Sequence, residues 1–270
     1  MTAYDGCEGL RVTLGDDAIL RLVLDRPAKR NALDDGMVAA MIAAIEAAER
    51  DEAVRAIVVS GAGDHFCGGF DIVSRNAPGG ARPRVGSIQR RLPSQAHRLV
   101  PLVAAVQVPV VCAVRGWAAG IGLHLVVAAD FAVVASDARL WEPFTERGFT
   151  PDSGGTWLLP RRVGEVRARE LLLLGRALSG EEAAGWGLVH RAVPAAEVAA
   201  HAEELAARLA HGPTVALGLT KWLMHRGATA TLPEHTRDEA FGLELSSRSE
   251  DFREGLAAFT EKRPPRFTGR

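Results

Sequence analysis

At 270 residues the chain fits one domain, or one domain with a small appendage, and its 47% apolar and 24% charged content is that of an ordinary globular protein. A net charge of −1 supplies no basic field for nucleic acid, and three cysteines without a C-x-x-C spacing argue against a disulfide framework and a metal site. The start lacks a secretory signal pattern, and Arg, His or Asp breaks every apolar run before membrane-spanning length, so a cytoplasmic protein without membrane partners is expected.

Ile19 to Leu24 alternates and is rich in β-formers, which predicts a strand ended by Asp25-Arg26-Pro27. Asp34 is placed to cap a helix whose apolar positions Met37, Ala40, Met41, Ala44, Ile45 and Ala48 fall at helical spacing. Ala56 to Ser60 is the next strand, and a glycine turn follows at His65-Phe66-Cys67-Gly68-Gly69-Phe70-Asp71. The stretch Ser74 to Leu92 carries Arg75, Arg82, Arg84, Arg90 and Arg91 among glycines and prolines. It reads either as a solvated loop or as a lid whose arginines meet phosphates.

Val108 to Val114 predicts another strand, leading through Arg115-Gly116-Trp117-Ala118-Ala119-Gly120-Ile121-Gly122 into a helix over 121 to 129. Phe131 to Ala135 is a further strand, and the repeated strand–turn–helix order argues for parallel β/α layering. From Glu165 the chain reads as mostly helical. Ser179-Gly180-Glu181-Glu182 forms a capping box, and Val189 to Val193 is a short strand. Pro194 starts a helix that Gly212-Pro213 ends, and further helices are expected at 213–226, 233–246 and 249–260.

Two glycine-rich turns, each behind an apolar strand and about fifty residues apart, are the most informative pattern. Glycine adopts positive φ and lets a backbone approach a ligand, so two such turns can aim two N–H groups at one developing oxyanion. The helix opened by the second turn adds partial positive charge there.

With Asp25-Arg26-Pro27-Ala28-Lys29-Arg30-Asn31-Ala32-Leu33, Pro151-Asp152-Ser153-Gly154-Gly155-Thr156-Trp157 and Ala183-Ala184-Gly185-Trp186-Gly187-Leu188-Val189, these turns resemble the crotonase (enoyl-CoA hydratase/isomerase) superfamily over nearly the whole chain. The resemblance implies an α/β fold, with a ββα superhelix core over 1–200 and a helical trimerisation region over 201–270. It also implies a homotrimer or dimer of trimers. An acyl-CoA thioester would be the substrate, so CoA enters as part of it and no separate cofactor is expected.

Carried over position by position, the oxyanion donors fall at the N–H of Phe70, after Gly69, and of Ile121, after Gly120. CoA-binding positions fall at Lys29 and Arg30, with Phe259 and Lys262 reaching a neighbouring subunit's CoA. The two hydratase glutamate positions hold His124 and Phe144 instead, and phenylalanine transfers no proton, so paired-carboxylate hydration is disfavoured. Packing around Phe70, Phe144 and Trp141 is expected to shape acyl choice. Asp152 matches an aspartate of dienoyl-CoA and 1,2-epoxyphenylacetyl-CoA isomerases, where one carboxylate moves a proton along the acyl chain.

Other readings of the same residues stand beside these. Asp152 suits a helix N-cap, which lowers a carboxyl pKa where a proton shuttle wants it raised. His124, one turn after Ile121, either faces the site or is a packed histidine satisfied by a backbone carbonyl. Glu142 and Glu146, two residues either side of Phe144, read as surface or helix-terminal charges. Cys67 reads as a small packing residue rather than a nucleophile. His97, by its spacing ahead of Pro109, resembles the base of 4-chlorobenzoyl-CoA dehalogenases, with Asp152 as nucleophile. An isomerase using Asp152 is therefore expected, with a hydratase, a CoA-ester hydrolytic enzyme or a non-catalytic acyl-CoA binder as the alternatives.

Overall fold

The computed structural model describes residues 4–75 and 84–270. Arg82, and the side chain of Arg75, lie outside the described residues. Arg84, Arg90 and Arg91 are exposed, and the second half of the expected loop contains the short helix Ser87–Arg91.

A main sheet of six strands has the order β1-β2-β3-β4-β6-β9. Its members are β1 (Leu10–Leu14), β2 (Ile19–Leu24), β3 (Ala56–Gly61), β4 (Val110–Val114), β6 (Phe131–Ala135) and β9 (Arg191–Val193). β1 runs antiparallel to β2, and every other pair is parallel, in the register Leu22↔Val59, Val59↔Cys112 and Cys112↔Ala132. All five residues of β4 are buried, the pattern of a strand covered on both faces.

The coverings are helices, of which α5 is buried on every side. α1 (Asp35–Ala48) starts where expected, with the Asp34 carboxylate accepting the Met37 N–H at 2.9 Å. α2 (Ile72–Arg75) and α3 (Ser87–Arg91) are short; α4 (Ala96–Ala105) packs against α1 and α5 (Ile121–Ala128). α6 (Gly155–Leu174) begins ten residues before the expected Glu165 and kinks at Gly164, whose φ of 76° and ψ of 164° are not helical. α7 (Gly180–Gly185) opens on the Ser179/Glu182 capping box. α8 (Val198–Ala210) lies on β3, β4 and β6 through Val198, Ala202, Ala206 and Ala210. A boundary at 200/201 would cut this helix, so the region beyond the sheet begins at α9 (Thr214–Gly227). α10 (Leu232–Ser246) pairs with α9, and α11 (Glu250–Glu261) follows. Among the described residues no helix is long and apolar enough to cross a membrane.

One buried cation ties α9 to the sheet. The Lys221 ammonium donates to Asp130 Oδ2 at 2.7 Å and to the Val103 carbonyl at 3.2 Å, while Asp130 Oδ2 also accepts the Val110 N–H. Burial pulls the Lys221 pKa below its ordinary value, and Asp130 opposes that pull. Lys221→Met leaves the aspartate short of a partner and should lower stability by about 2 kcal/mol. Urea unfolding with an unchanged slope checks this; an unchanged midpoint would discount the pair.

A second, smaller sheet holds β5 (Trp117–Ala119), β7 (Arg139–Trp141) and β8 (Leu178–Ser179). β5 and β7 are parallel, β7 and β8 antiparallel. β5 leads directly into Gly120 and β7 into Glu142, so these strands organise the turns described next.

Candidate active site

The segment after β3 runs between two neighbours. On one edge Cys67 pairs with Ala118 of β5: its N–H donates to the Trp117 carbonyl at 2.8 Å, and its carbonyl accepts the Ala119 N–H at 2.9 Å. On the other edge Phe70 bridges Leu33, whose N–H donates to Gly69 O and whose carbonyl accepts the Asp71 N–H, both at 2.8 Å. Because strand N–H groups alternate, the Phe70 N–H is directed to the edge opposite Leu33.

The Cys67–Ala118 bridge therefore sets both glycine turns side by side. Gly69 has φ +103°, and a Cβ there would stand 3.2 Å from the Ala119 carbonyl oxygen. Gly120 has φ +53° and ψ −123°, a region open to glycine. Its N–H donates to the Trp141 carbonyl at 2.9 Å, and its carbonyl accepts the His124 N–H. Ile121 is the first residue of α5, so its N–H has no acceptor inside the helix and points out of the helix start.

The loop of residues 25–33 is held by a residue the sequence argument passed over. Asn31 is buried at φ +56°, directly after Arg30 at φ +50°. Its Oδ1 accepts the Arg26 N–H at 2.8 Å, and its Nδ2 donates to the Ala62 and His65 carbonyls at 2.9 and 2.6 Å. Such local amide bonding and tolerance of left-handed φ are reasons for asparagine here. Lys29 donates to Asp71 at 2.8 Å, beside Arg26 at 3.2 Å, and Arg30 lies over the Trp117 ring at 5.9 Å.

A cleft of about 400 Å³ opens here, lined by Lys29, Gly68, Phe70, Asp71, Ile72 and Arg147 among others. Asp71 and Arg147 were not singled out from the sequence. The Arg147 guanidinium also stacks on Trp141, 5.5 Å from the ring centroid. Phe259 and Lys262 sit apart, exposed at the end of α11.

Phe144 is buried against the second turn. Its Cζ is 3.4 Å from where a Gly120 Cβ would stand, its ring stacks on His124 with centroids 5.9 Å apart, and Phe149 meets it edge-on. His124 is 0% exposed, and its Nε2 lies 2.9 Å from Oε1 of Glu142, itself 1% exposed. This corrects two expectations. Glu142 is no surface charge, and the His124 ring meets a carboxyl at Nε2 rather than a backbone carbonyl, with no surface open to a substrate. Residues 142–144 leave β7 before a 3-10 turn at Thr145–Arg147, so helical spacing does not govern where Glu142 points. Glu146 is exposed, as expected.

Asp152 is not a cap. Gly154 occupies the N-cap of α6 with no side-chain cap, because Ser153 at φ +55° and Gly154 at φ +94° carry the chain into the helix. The Asp152 side chain, 40% exposed, accepts from Ser153 Oγ at 3.1 Å and lies 3.4 Å from His97 Nε2 on α4. It lies outside the lining of the cleft beside Phe70. Its backbone carbonyl accepts the Gly155 N–H, and Gly155 in turn abuts His124.

Cys67 is fully buried, and burial pushes its thiol up to about 12, which removes it as a nucleophile. Cys112 is buried and shifted upward in the same way, whereas Cys7 is exposed. Native protein should release one thiol to Ellman's reagent and three in denaturant. Fast labelling of a second thiol in the native state would contradict the packing around Cys67.

Comparison with known proteins shows the family. The family model described as enoyl-CoA hydratase/isomerase matches residues 15–270. The chain is 39% identical to 1,2-epoxyphenylacetyl-CoA isomerase of Escherichia coli (strain K12) over 257 residues, covering 94% of this chain and 97% of that protein. It is 40% identical over 267 residues to a Rhodobacter capsulatus protein named "Probable enoyl-CoA hydratase", covering 99% of this chain and 97% of that one. The crystal structure of enoyl-CoA hydratase from Bacillus anthracis superposes with a TM-score of 0.89 at 30% identity, covering 97% of this chain and 100% of that one. On these matches and on the paired glycine turns beside the sheet, the chain belongs to the enoyl-CoA hydratase/isomerase, or crotonase, family.

Proposed function

We propose that this member of a family of acyl-CoA isomerases and hydratases carries out the isomerase chemistry. The thioester oxygen is held by the N–H groups of Phe70 and Ile121. The Asp152 carboxylate removes a proton from the carbon next to the carbonyl, leaving an enolate whose charge those two donors stabilise. The protonated Asp152 then returns the proton two carbons along, so the double bond moves and no water is consumed.

The observation that carries this reading is the Cys67–Ala118 bridge, which supports both glycine turns serving one oxygen. The burial of Phe144 where a second acid would be needed supports isomerisation over hydration. Lys29 and Arg30 serve the CoA nucleotide, and Phe259 and Lys262 serve that of a neighbouring subunit. The assembly is a cytoplasmic homotrimer or dimer of trimers, a reading supported by Met224, Leu232, Phe241, Leu256 and Phe259 exposed on α9–α11.

Incubation with 3-enoyl-, 2-enoyl- and aryl-CoA esters, followed by mass and NMR analysis of products, tests the reading. Double-bond migration without a mass change is expected; a gain of one water as the main product would refute it. The contact between Asp152 and His97 favours one further reading. There the Asp152 carboxylate displaces halide from a ring carbon of an aryl-CoA, forming an aspartyl ester as the carbon–halogen bond breaks. His97 takes a proton from the water that hydrolyses that ester to free Asp152 and the hydroxylated product; a covalent aspartyl species trapped in a single turnover would establish it.

A further inference from the structure

The buried pair His124–Glu142 has no role in the chemistry proposed above, yet it is costly to keep. Neither side chain has meaningful exposure, and His124 Nδ1 and Glu142 Oε2 find no hydrogen-bond partner among the described residues. A half-satisfied buried polar pair is worse for stability than two well-packed apolar residues of similar size. Stability therefore does not account for it, and a buried unsatisfied group asks for another explanation.

Its connections supply one. The Gly120 N–H donates to Trp141 O, and Glu142 is the next residue after Trp141. The Gly120 carbonyl accepts the His124 N–H. The bond from His124 Nε2 to Glu142 Oε1 thus closes a ring of hydrogen bonds around the second glycine turn. The same end of the imidazole presses on α6: a Cβ on Gly155 would stand 2.2 Å from His124 Nε2, so only glycine fits. The Gly155 N–H meets the Asp152 carbonyl at 3.4 Å. One imidazole therefore touches both the turn bearing the Ile121 N–H and the turn bearing the Asp152 carboxylate.

We infer that His124 and Glu142 are positioning residues, whose mutual hydrogen bond sets the Ile121 donor and the Asp152 carboxylate at a fixed separation. This rests on the isomerase reading above. A hydrogen bond fixes distance and direction where apolar packing fixes only volume, and misplacement of about 1 Å costs a reaction about 100-fold.

The test replaces both residues by an apolar pair, His124→Leu with Glu142→Leu, and measures melting temperature, kcat and KM. The expected variant melts at or above the wild-type temperature, keeps KM within about twofold and loses about 100-fold in kcat. Glu142→Gln, which keeps an acceptor at the same place, should recover most of that loss. If the double variant does not fold, Glu142→Met gives the same readout: lower kcat at constant KM supports the inference, and unchanged kcat overturns it. Asp152→Asn serves as the control. Wild-type kcat in the apolar variant beside an inactive Asp152→Asn overturns the positioning role and leaves the isomerase mechanism standing. An active Asp152→Asn overturns the mechanism, and the positioning role falls with it.

Discussion

Asp152→Asn should bind an acyl-CoA as tightly as the wild type and turn it over about 1,000-fold more slowly. The amide keeps the shape of the carboxylate and still accepts from Ser153 Oγ, so folding and the start of α6 are left alone. What it loses is the ability to take up and hold a proton. In the proposed mechanism the proton passes through this carboxylate alone: among the described residues Asp71, in the cleft, is paired with Lys29 and Arg26, and Glu142 is turned inward to His124. Steady-state kinetics with a 3-enoyl-CoA, calorimetric binding of a non-reactive CoA thioether and a thermal melt form the complete measurement. Turnover within fivefold of wild type would remove Asp152 from the reaction.

Gly120→Ala should be nearly as damaging to turnover, for a different reason. At φ +53° and ψ −123° an alanine is strained by about 1–3 kcal/mol, and the backbone relieves that strain by rotating. The residue that follows is Ile121, so rotation swings the proposed donor away from the thioester oxygen. Loss of one such donor costs about 100-fold to 1,000-fold in kcat. A Cβ here would meet Phe144 Cζ at 3.4 Å, an ordinary van der Waals contact, so the backbone and not the packing carries the strain. The expected signature is a fall in kcat with intact affinity for free CoA and a melting temperature lowered by a few degrees. Full activity would show that the second turn does not serve the reacting oxygen.

Both variants act on features that differ in how far they could be read from sequence. The strands at 19–24, 56–60 and 131–135, the Asp34 cap and the Ser179 capping box were legible because each depends on residues within one or two turns of chain. The small sheet was not, since β5, β7 and β8 are too short for a periodicity and exist through pairing with one another. The entry to α6 was not legible, because left-handed Ser153 and Gly154, not an Asp152 cap, carry the chain into it, and Gly155 is a helical residue kept small by the imidazole against it. Glu142 looked like a surface charge because its partner, His124, lies on another element and reaches it through the interior. The cleft residues Asp71 and Arg147 each had a visible signal, a charge directly after a glycine turn and a charge three residues past Phe144. Nothing local showed that they face the same space.

The Asn31 amide has a mechanical consequence. By gripping the Ala62 and His65 carbonyls while receiving the Arg26 N–H, it rivets the exit of β2 to the exit of β3. Lys29 and Arg30 ride on the first of these exits, and Gly69 and Phe70 on the second. If Lys29 and Arg30 hold the nucleotide and the Phe70 amide the thioester oxygen, as proposed, a pull at the nucleotide end of the ligand is passed through Asn31 to the end where its carbonyl rests.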